Sequence, residues 1–311
     1  MAHASGVRLP YEESPATVRA WVDRALGSSV VSAATQQGGF SPGVAARLVT
    51  TTGRRAFLKA VGSSLNPDTP TLFRNEIAAM QGLAAHSLPH TPFLYDVYDD
   101  GDWVGLLMED IDGYLPPHPW RPQDANRVLD ALEELTAALQ PSPWPAAPVA
   151  AVRSREFLSR WDLVVADGLD VPDWMAGRQE EFAELARAGL AALAVGDGLV
   201  HWDLRADNIL MTEQRVVFVD WAHAALGAPW ADTVILHADM RGAVDLPPLP
   251  DDVGITGFIA GIAGGQWWGS HQQSPAGLPT LRAWQRESAL QHLDWLRDRL
   301  SWRCDLAVDA D

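Results

Sequence analysis

The chain has 311 residues, 47% of them apolar and 20% charged, the balance of an ordinary globular protein with room for about two domains. Its 23 Lys+Arg against 40 Asp+Glu leave a net charge of −17, which argues against a nucleic-acid binder, because neutralising phosphates needs a basic face. The single cysteine, Cys304, permits no internal disulfide and points to a reducing compartment. No apolar core of the kind a secretory signal needs follows the N-terminus, so a cytoplasmic protein, monomer or homodimer, is expected.

Ser14-Pro15 reads as a helix start, with Ser14 as cap and Pro15 at the first helical position. Val18, Trp21, Val22 and Leu26 form its apolar face and Gly27 ends it. Three β-like runs follow, SVVSAATQQ, VAARLVTTTG and RRAFLKAV, separated by glycine or turn residues. A helix opens at Thr69-Pro70 and runs through LFRNEIAAMQGLAAH. Two further strands, FLYDVYDDG and WVGLLMED, meet at an acidic turn. Residues 1–110 therefore read as a small sheet lobe with one central helix.

The connector DIDGYLPPHPWRP carries four prolines and marks a boundary, after which helical patterns dominate. Residues 122–139 and about 175–195 are helical, and a stripe of Leu281, Trp284, Leu290, Leu293, Leu296 and Leu300 runs near the end. Residues 253–269 are uncharged but glycine-rich and shorter than the roughly 20 apolar residues a membrane span needs. A buried helix is expected there, and no membrane association. No fixed-period repeat occurs.

The densest chemistry lies in HWDLRADNIL, residues 201–210, followed by VVFVDW, residues 216–221. Asp203 sits in a short loop after the apolar pair Leu199-Val200, placed to accept a hydrogen bond from an attacking hydroxyl. Asn208, five residues on, offers a neutral oxygen, and Asp220, at the end of a β-run, a carboxylate; together they suit magnesium, a hard cation that prefers oxygen ligands. Alone, each residue is an ordinary turn or cap former. In this order and spacing they are the working parts of phosphoryl transfer. His201 reads as a structural brace of the loop.

HWDLRADNIL with VVFVDW resembles the aminoglycoside phosphotransferase and choline kinase-like family, the small-molecule branch of the protein kinase-like fold. The family usually has glycine after its histidine, where this chain has Trp202, and a small residue before its asparagine, where it has Asp207. The resemblance implies an α+β, two-lobed protein with a nucleotide-binding lobe at residues 1–110. Residues 111–311 would be mainly helical and supply the catalytic loop and acceptor pocket. It implies ATP or GTP as donor, Mg2+, and a small hydroxylated acceptor. Lys59, alternating on the strand AFLKAV, would bind phosphates, and Glu76 on the following helix would pair with it.

Gly38, Gly39 and Ser41, in GGFSPG, would cover the phosphates, although that loop lacks the Lys-Ser/Thr ending of a Walker loop. In LLMEDIDG the backbone of Glu109 and Ile111 would meet the adenine edge, with Met108 behind it. Asp232, opening a later helix, would support the catalytic loop. Only eleven residues separate Asp220 from Asp232, too few for the segment on which a peptide substrate docks, so the acceptor is a small molecule. Three readings stay open: an antibiotic kinase acting on an aminoglycoside-like compound, a metabolic kinase for choline, a sugar or an amino alcohol, and a nucleotide-binding pseudokinase.

Overall fold

The structure, a computed structural model, describes residues 8–36, 42–86, 88–274 and 280–308, with side chains to residue 300. The chain divides into two compact units, one running up to residue 147 and taking in 201–224, the other built of 148–200 and the chain from 225 onward.

In the first unit, α1 (Ala16–Leu26) buries Val18, Trp21, Val22 and Leu26, the four residues of its predicted stripe, and ends at Gly27, whose φ of 68° is left-handed. The cap differs from expectation. Helix α1 begins after Pro15, and the Ser14 hydroxyl donates to the Tyr11 carbonyl at 2.6 Å, closing the preceding 3-10 turn Tyr11–Glu13.

Five strands follow the predicted runs: β1 (Val30–Thr35), β2 (Val44–Thr50), β3 (Arg55–Gly62), β4 (Leu94–Asp99) and β5 (Trp103–Met108). They form one antiparallel sheet in the order β1-β2-β3-β5-β4. Strand β5 is buried along its whole length, as befits a strand with neighbours on both sides and helices against it. The indole of Trp21 enters this core and donates to Asp96 at 2.9 Å, so its one polar atom is satisfied. Helix α2 (Thr69–Ala84), with proline in its first turn, packs on β3 and β5 and buries Phe73, Ala79, Met80 and Leu83 together with Glu76.

Helix α3 (Pro122–Ala138) also belongs to this unit, turning Val128, Ala131, Leu132 and Leu135 inward. Two short strands, Ile209–Met211 and Val216–Phe218, complete it.

The second unit is mainly helical. Helices α4 (Ala150–Arg153), α5 (Arg155–Leu158), α6 (Trp161–Ala166) and α7 (Gln179–Leu193) are followed by α8 (Trp230–Met240), α9 (Val253–Ser270) and α10 (Leu281–Val308). A two-stranded ladder joins β6 (Gly198–Val200) to the later strand Ala225–Gly227. The glycine-rich segment is α9: it is almost wholly buried, and Asp252 caps it by accepting from the backbone of Gly254 and Ile255 at 2.7 and 3.1 Å. Among the described residues no helix is long and apolar enough to cross a membrane.

The glycines of α9 bring it unusually close to α7. A β-carbon on Gly257 would stand 2.1 Å from the Leu185 carbonyl oxygen, and one on Gly189 2.2 Å from the backbone of Gly257. The terminal stripe is rotated from its predicted position. Leu293 and Leu296 are buried, but Leu290 is 46% exposed, and Gln285, Ala289 and His292 face inward instead. Two tryptophans of this unit serve as core: Trp161 is fully buried, its indole donating to the Ala260 carbonyl, and buried Trp267 donates to the Asp170 carbonyl.

Candidate active site

The loop after β6 carries His201, Trp202 and Asp203, and passes through a single turn, Ala206–Asn208, into β7 (Ile209–Met211). Strand β7 pairs with β8 (Val216–Phe218). The turn between them is held by the Thr212 hydroxyl, which accepts from the backbone of Gln214 and Arg215. Strand β8 delivers Asp220, and β9 (Ala225–Gly227) follows. All residues from 201 to 224 lie in the same compact unit as the five-stranded sheet.

Within that unit the structure brings Lys59, Glu76 and Asp220 together. Lys59, on β3, places Nζ 2.5 Å from Glu76 on α2 and 3.0 Å from Asp220. The Glu76 carboxylate also accepts from the backbone N–H of Trp221, which ties α2 to the segment bearing Asp220. Burial raises the Glu76 pKa despite Lys59. Burial acts the same way on Asp220, but there the lysine outweighs it and holds the carboxyl below its ordinary value. Lys59 itself is pushed down by burial and up, more strongly, by its two carboxylates, so it stays charged.

Asp203 and Asn208 form a second cluster. The Asn208 side-chain amide donates to the Asp203 carbonyl at 2.8 Å and to its carboxylate at 3.1 Å. With the nitrogen so occupied, the Asn208 carboxamide oxygen is the end that can face a cation. Burial pushes the Asp203 carboxyl up to about 6, opposed by Arg205 and reinforced by Asp220 and Asp207. His201 lies beneath, 1% exposed: its Nε2–H donates to the Val219 carbonyl at 2.9 Å, and its Nδ1 accepts from the Asp203 backbone at 3.3 Å. Burial lowers its pKa to about 4, so the ring is neutral with its tautomer fixed by these two partners.

Two residues of this region have left-handed backbones, Trp202 at φ 72° and Asp220 at φ 68°. Aspartate tolerates that conformation; for tryptophan it is strained. The position where Trp202 replaces the usual glycine is thus one where the backbone itself favours glycine.

At the connector, Met108 is buried at the end of β5 and Ile111 is nearly buried. The Glu109 N–H donates to the Phe93 carbonyl at 2.8 Å. Sequence reasoning missed what holds this connector. Asp110 has only 2% of its side chain exposed and takes ion pairs from Arg47 at 2.6 Å and Arg55 at 2.7 Å. Arg215, in the turn after β7, pairs with Glu109 at 2.5 Å. These contacts span 55 to 106 residues and leave no local signature. Gly38, Gly39 and Ser41 fall outside the described residues. Asp232 is buried in the first turn of α8, in the helical unit.

A lysine held between a helix glutamate and the aspartate of a short hairpin, on a five-stranded antiparallel sheet, with the Asp203–Asn208 loop beside it, defines the protein kinase-like fold of small-molecule phosphotransferases. The sequence profile of the phosphotransferase enzyme family matches residues 38–268, and the chain belongs to that family. Its fold is similar to that of spectinomycin phosphotransferase APH(9)-Ia, solved with ADP and spectinomycin (10% identity, 89% of this chain and 97% of that one, TM-score 0.55). It is likewise similar to a thermostable mutant of aminoglycoside phosphotransferase APH(4)-Ia, solved with ADP and hygromycin B (13% identity, 91% and 98%, TM-score 0.52). A third similar fold is that of a choline/ethanolamine kinase family protein from Mesorhizobium loti (15% identity, 83% and 85%, TM-score 0.50). No curated protein matches the chain in sequence.

Proposed function

We propose that the protein is a magnesium-dependent kinase that transfers the γ-phosphate of ATP or GTP to a hydroxyl of a small acceptor such as an aminoglycoside. The observation that carries this reading is the Lys59–Glu76–Asp220 cluster in one compact unit with the Asp203–Asn208 pair. In this reading residues 1–110 form the nucleotide-binding lobe and 111–311 supply the catalytic loop and acceptor pocket.

Lys59, aimed by Glu76, binds phosphate oxygens of the donor. Gly38, Gly39 and Ser41 close over the same phosphates, while the Glu109 carbonyl and Ile111 N–H take the base edge in front of Met108. Asp220 and the Asn208 oxygen fit magnesium, which usually takes one or two protein oxygens and completes its shell with phosphates and water. When bound, the metal supplies charge neutralisation for the transferring phosphoryl group. Asp203 accepts the hydrogen bond of the acceptor hydroxyl and aims its oxygen at the γ-phosphorus. As the new O–P bond forms and the bond to the nucleoside diphosphate breaks, the hydroxyl proton passes to the Asp203 carboxylate. The raised pKa of that carboxyl favours the transfer. His201 and Asp232 are structural supports.

The test separates the two aspartates. Asp203→Ala is expected to lower turnover by about a thousandfold with nucleotide affinity nearly unchanged, and Asp220→Ala to weaken magnesium-nucleotide binding itself. Calorimetry and ADP-release assays over a panel of aminoglycosides, choline, sugars and amino alcohols read both quantities. Equal affinity losses in the two variants would sink the assignment of roles. Tight nucleotide binding without product from any acceptor would establish a pseudokinase instead.

A further inference from the structure

The segment before α1 is anchored firmly. Tyr11 is 5% exposed in the core of the sheet unit, and Ser14 closes a turn on its carbonyl. Just ahead of that anchor, Arg8 forms a parallel bridge with Gly43, and the Leu9 N–H donates to the Gly43 carbonyl at 3.0 Å. The pairing of β1 with β2 ends where the Gln36 N–H donates to Ala45 at 2.8 Å. The edge of β2 beyond that point is therefore taken by the Arg8 segment.

Gly43 makes the arrangement possible. Its φ is 109°, and a β-carbon there would lie 2.5 Å from the Ala60 carbonyl oxygen, so only glycine fits. Across β2 the register pairs Val44 with Ala60 and Ala45 with Lys59. Arg8 thus enters the sheet at the end that carries Lys59, on the far side of β2. Its guanidinium is part-buried and within electrostatic range of Asp220, whose charge counters the effect of burial on the arginine. The bridge to Gly43 holds the Arg8 backbone at the end of the sheet that carries Lys59.

We propose that Arg8 is a second phosphate-binding cation of the donor site, meeting the phosphate oxygens of a nucleoside di- or triphosphate alongside Lys59. The proposal rests on the reading of the Lys59 cluster as a nucleotide site. The guanidinium suits the task because it is permanently charged and its planar fork matches phosphate oxygens two at a time.

The test compares the full-length protein with its Arg8→Ala and Arg8→Lys variants by calorimetry with adenosine, ADP and ATP in magnesium, or the guanosine series if that base is the one bound. Arg8→Ala is expected to weaken ADP and ATP binding about tenfold or more and leave adenosine unchanged, with Arg8→Lys between. A loss shared equally by adenosine would reveal a merely structural residue and overturn the proposal, as would unchanged ATP affinity. If the unaltered protein binds none of the three, the nucleotide reading itself falls, and this role with it.

Discussion

Trp202 offers a test of the loop geometry whose outcome is a sign. Its φ of 72° is set by its neighbours: His201 is fixed by the Val219 carbonyl and by the Asp203 backbone, so the peptide between them has little freedom. Replacing Trp202 by glycine or by alanine removes the same indole and the same ring contacts. The two variants therefore differ only in one β-carbon and in backbone freedom. At an ordinary position glycine is the less stable, by about 0.5–1 kcal/mol, because it loses more entropy on folding. In the left-handed region the β-carbon costs about 1–2 kcal/mol, which reverses the order. Trp202→Gly is expected to exceed Trp202→Ala by about 0.5–1 kcal/mol, a gap of about 1–3 °C in melting temperature. Denaturant titrations of both variants side by side give the difference directly. An alanine variant as stable as the glycine variant, or more so, would refute the claim that the backbone at this position is strained.

Partial burial pushes the Asp203 carboxyl up to about 6, and its carboxylate is the form that accepts the hydroxyl proton, so turnover should fall as pH drops through about 6, approaching tenfold per unit. Stability moves the other way: the raised pKa disfavours the folded state above about 6, and that cost is relieved as the pH falls toward the unfolded value. Since Arg205 opposes the shift, Arg205→Ala should move the acid limb of the pH–rate profile upward; a limb that stays in place would contradict the electrostatic account. Gly257→Ala should destabilise the protein by about 3 kcal/mol, because its β-carbon would meet the Leu185 carbonyl oxygen at 2.1 Å, a backbone atom that has no rotamer to yield. Thermal unfolding at the parent's temperature would disprove that tight seam.

What sequence could reveal here depended on how local the cause was. The face of α1 is a 3.6-residue repeat closed by a glycine, and the strand bearing Lys59 alternates from Arg55 to Ala60, so both were readable in place. The Asp203–Asn208 pair lies within one turn. By contrast Asp110 is held by arginines on two strands, and Arg8 meets Gly43 across a gap of helix and strand; nothing in the local pattern of either residue marks such a partner. The terminal helix shows a third limit. Leucines spaced for one face lay at Leu290 and Leu293, yet the surface they pack on selects the face holding Ala289 and His292, so Leu290 is left exposed. The strain at Trp202 is likewise a property of φ, which residue identity does not encode.

The compact unit that holds Lys59 is made of two stretches, the chain up to residue 147 and residues 201–224. During synthesis, which proceeds at roughly 5–20 residues per second, the sheet, α2 and the Lys59–Glu76 pair emerge first. The hairpin that supplies Asp220 and the Trp221 N–H to that pair arrives only after more than fifty intervening residues have been made. Until then the ammonium has one carboxylate and the buried glutamate lacks a backbone donor. The nascent sheet unit is thus completed late, by a long-range closure, and a chain cut at residue 147 would carry the lysine without the aspartate that completes its charge.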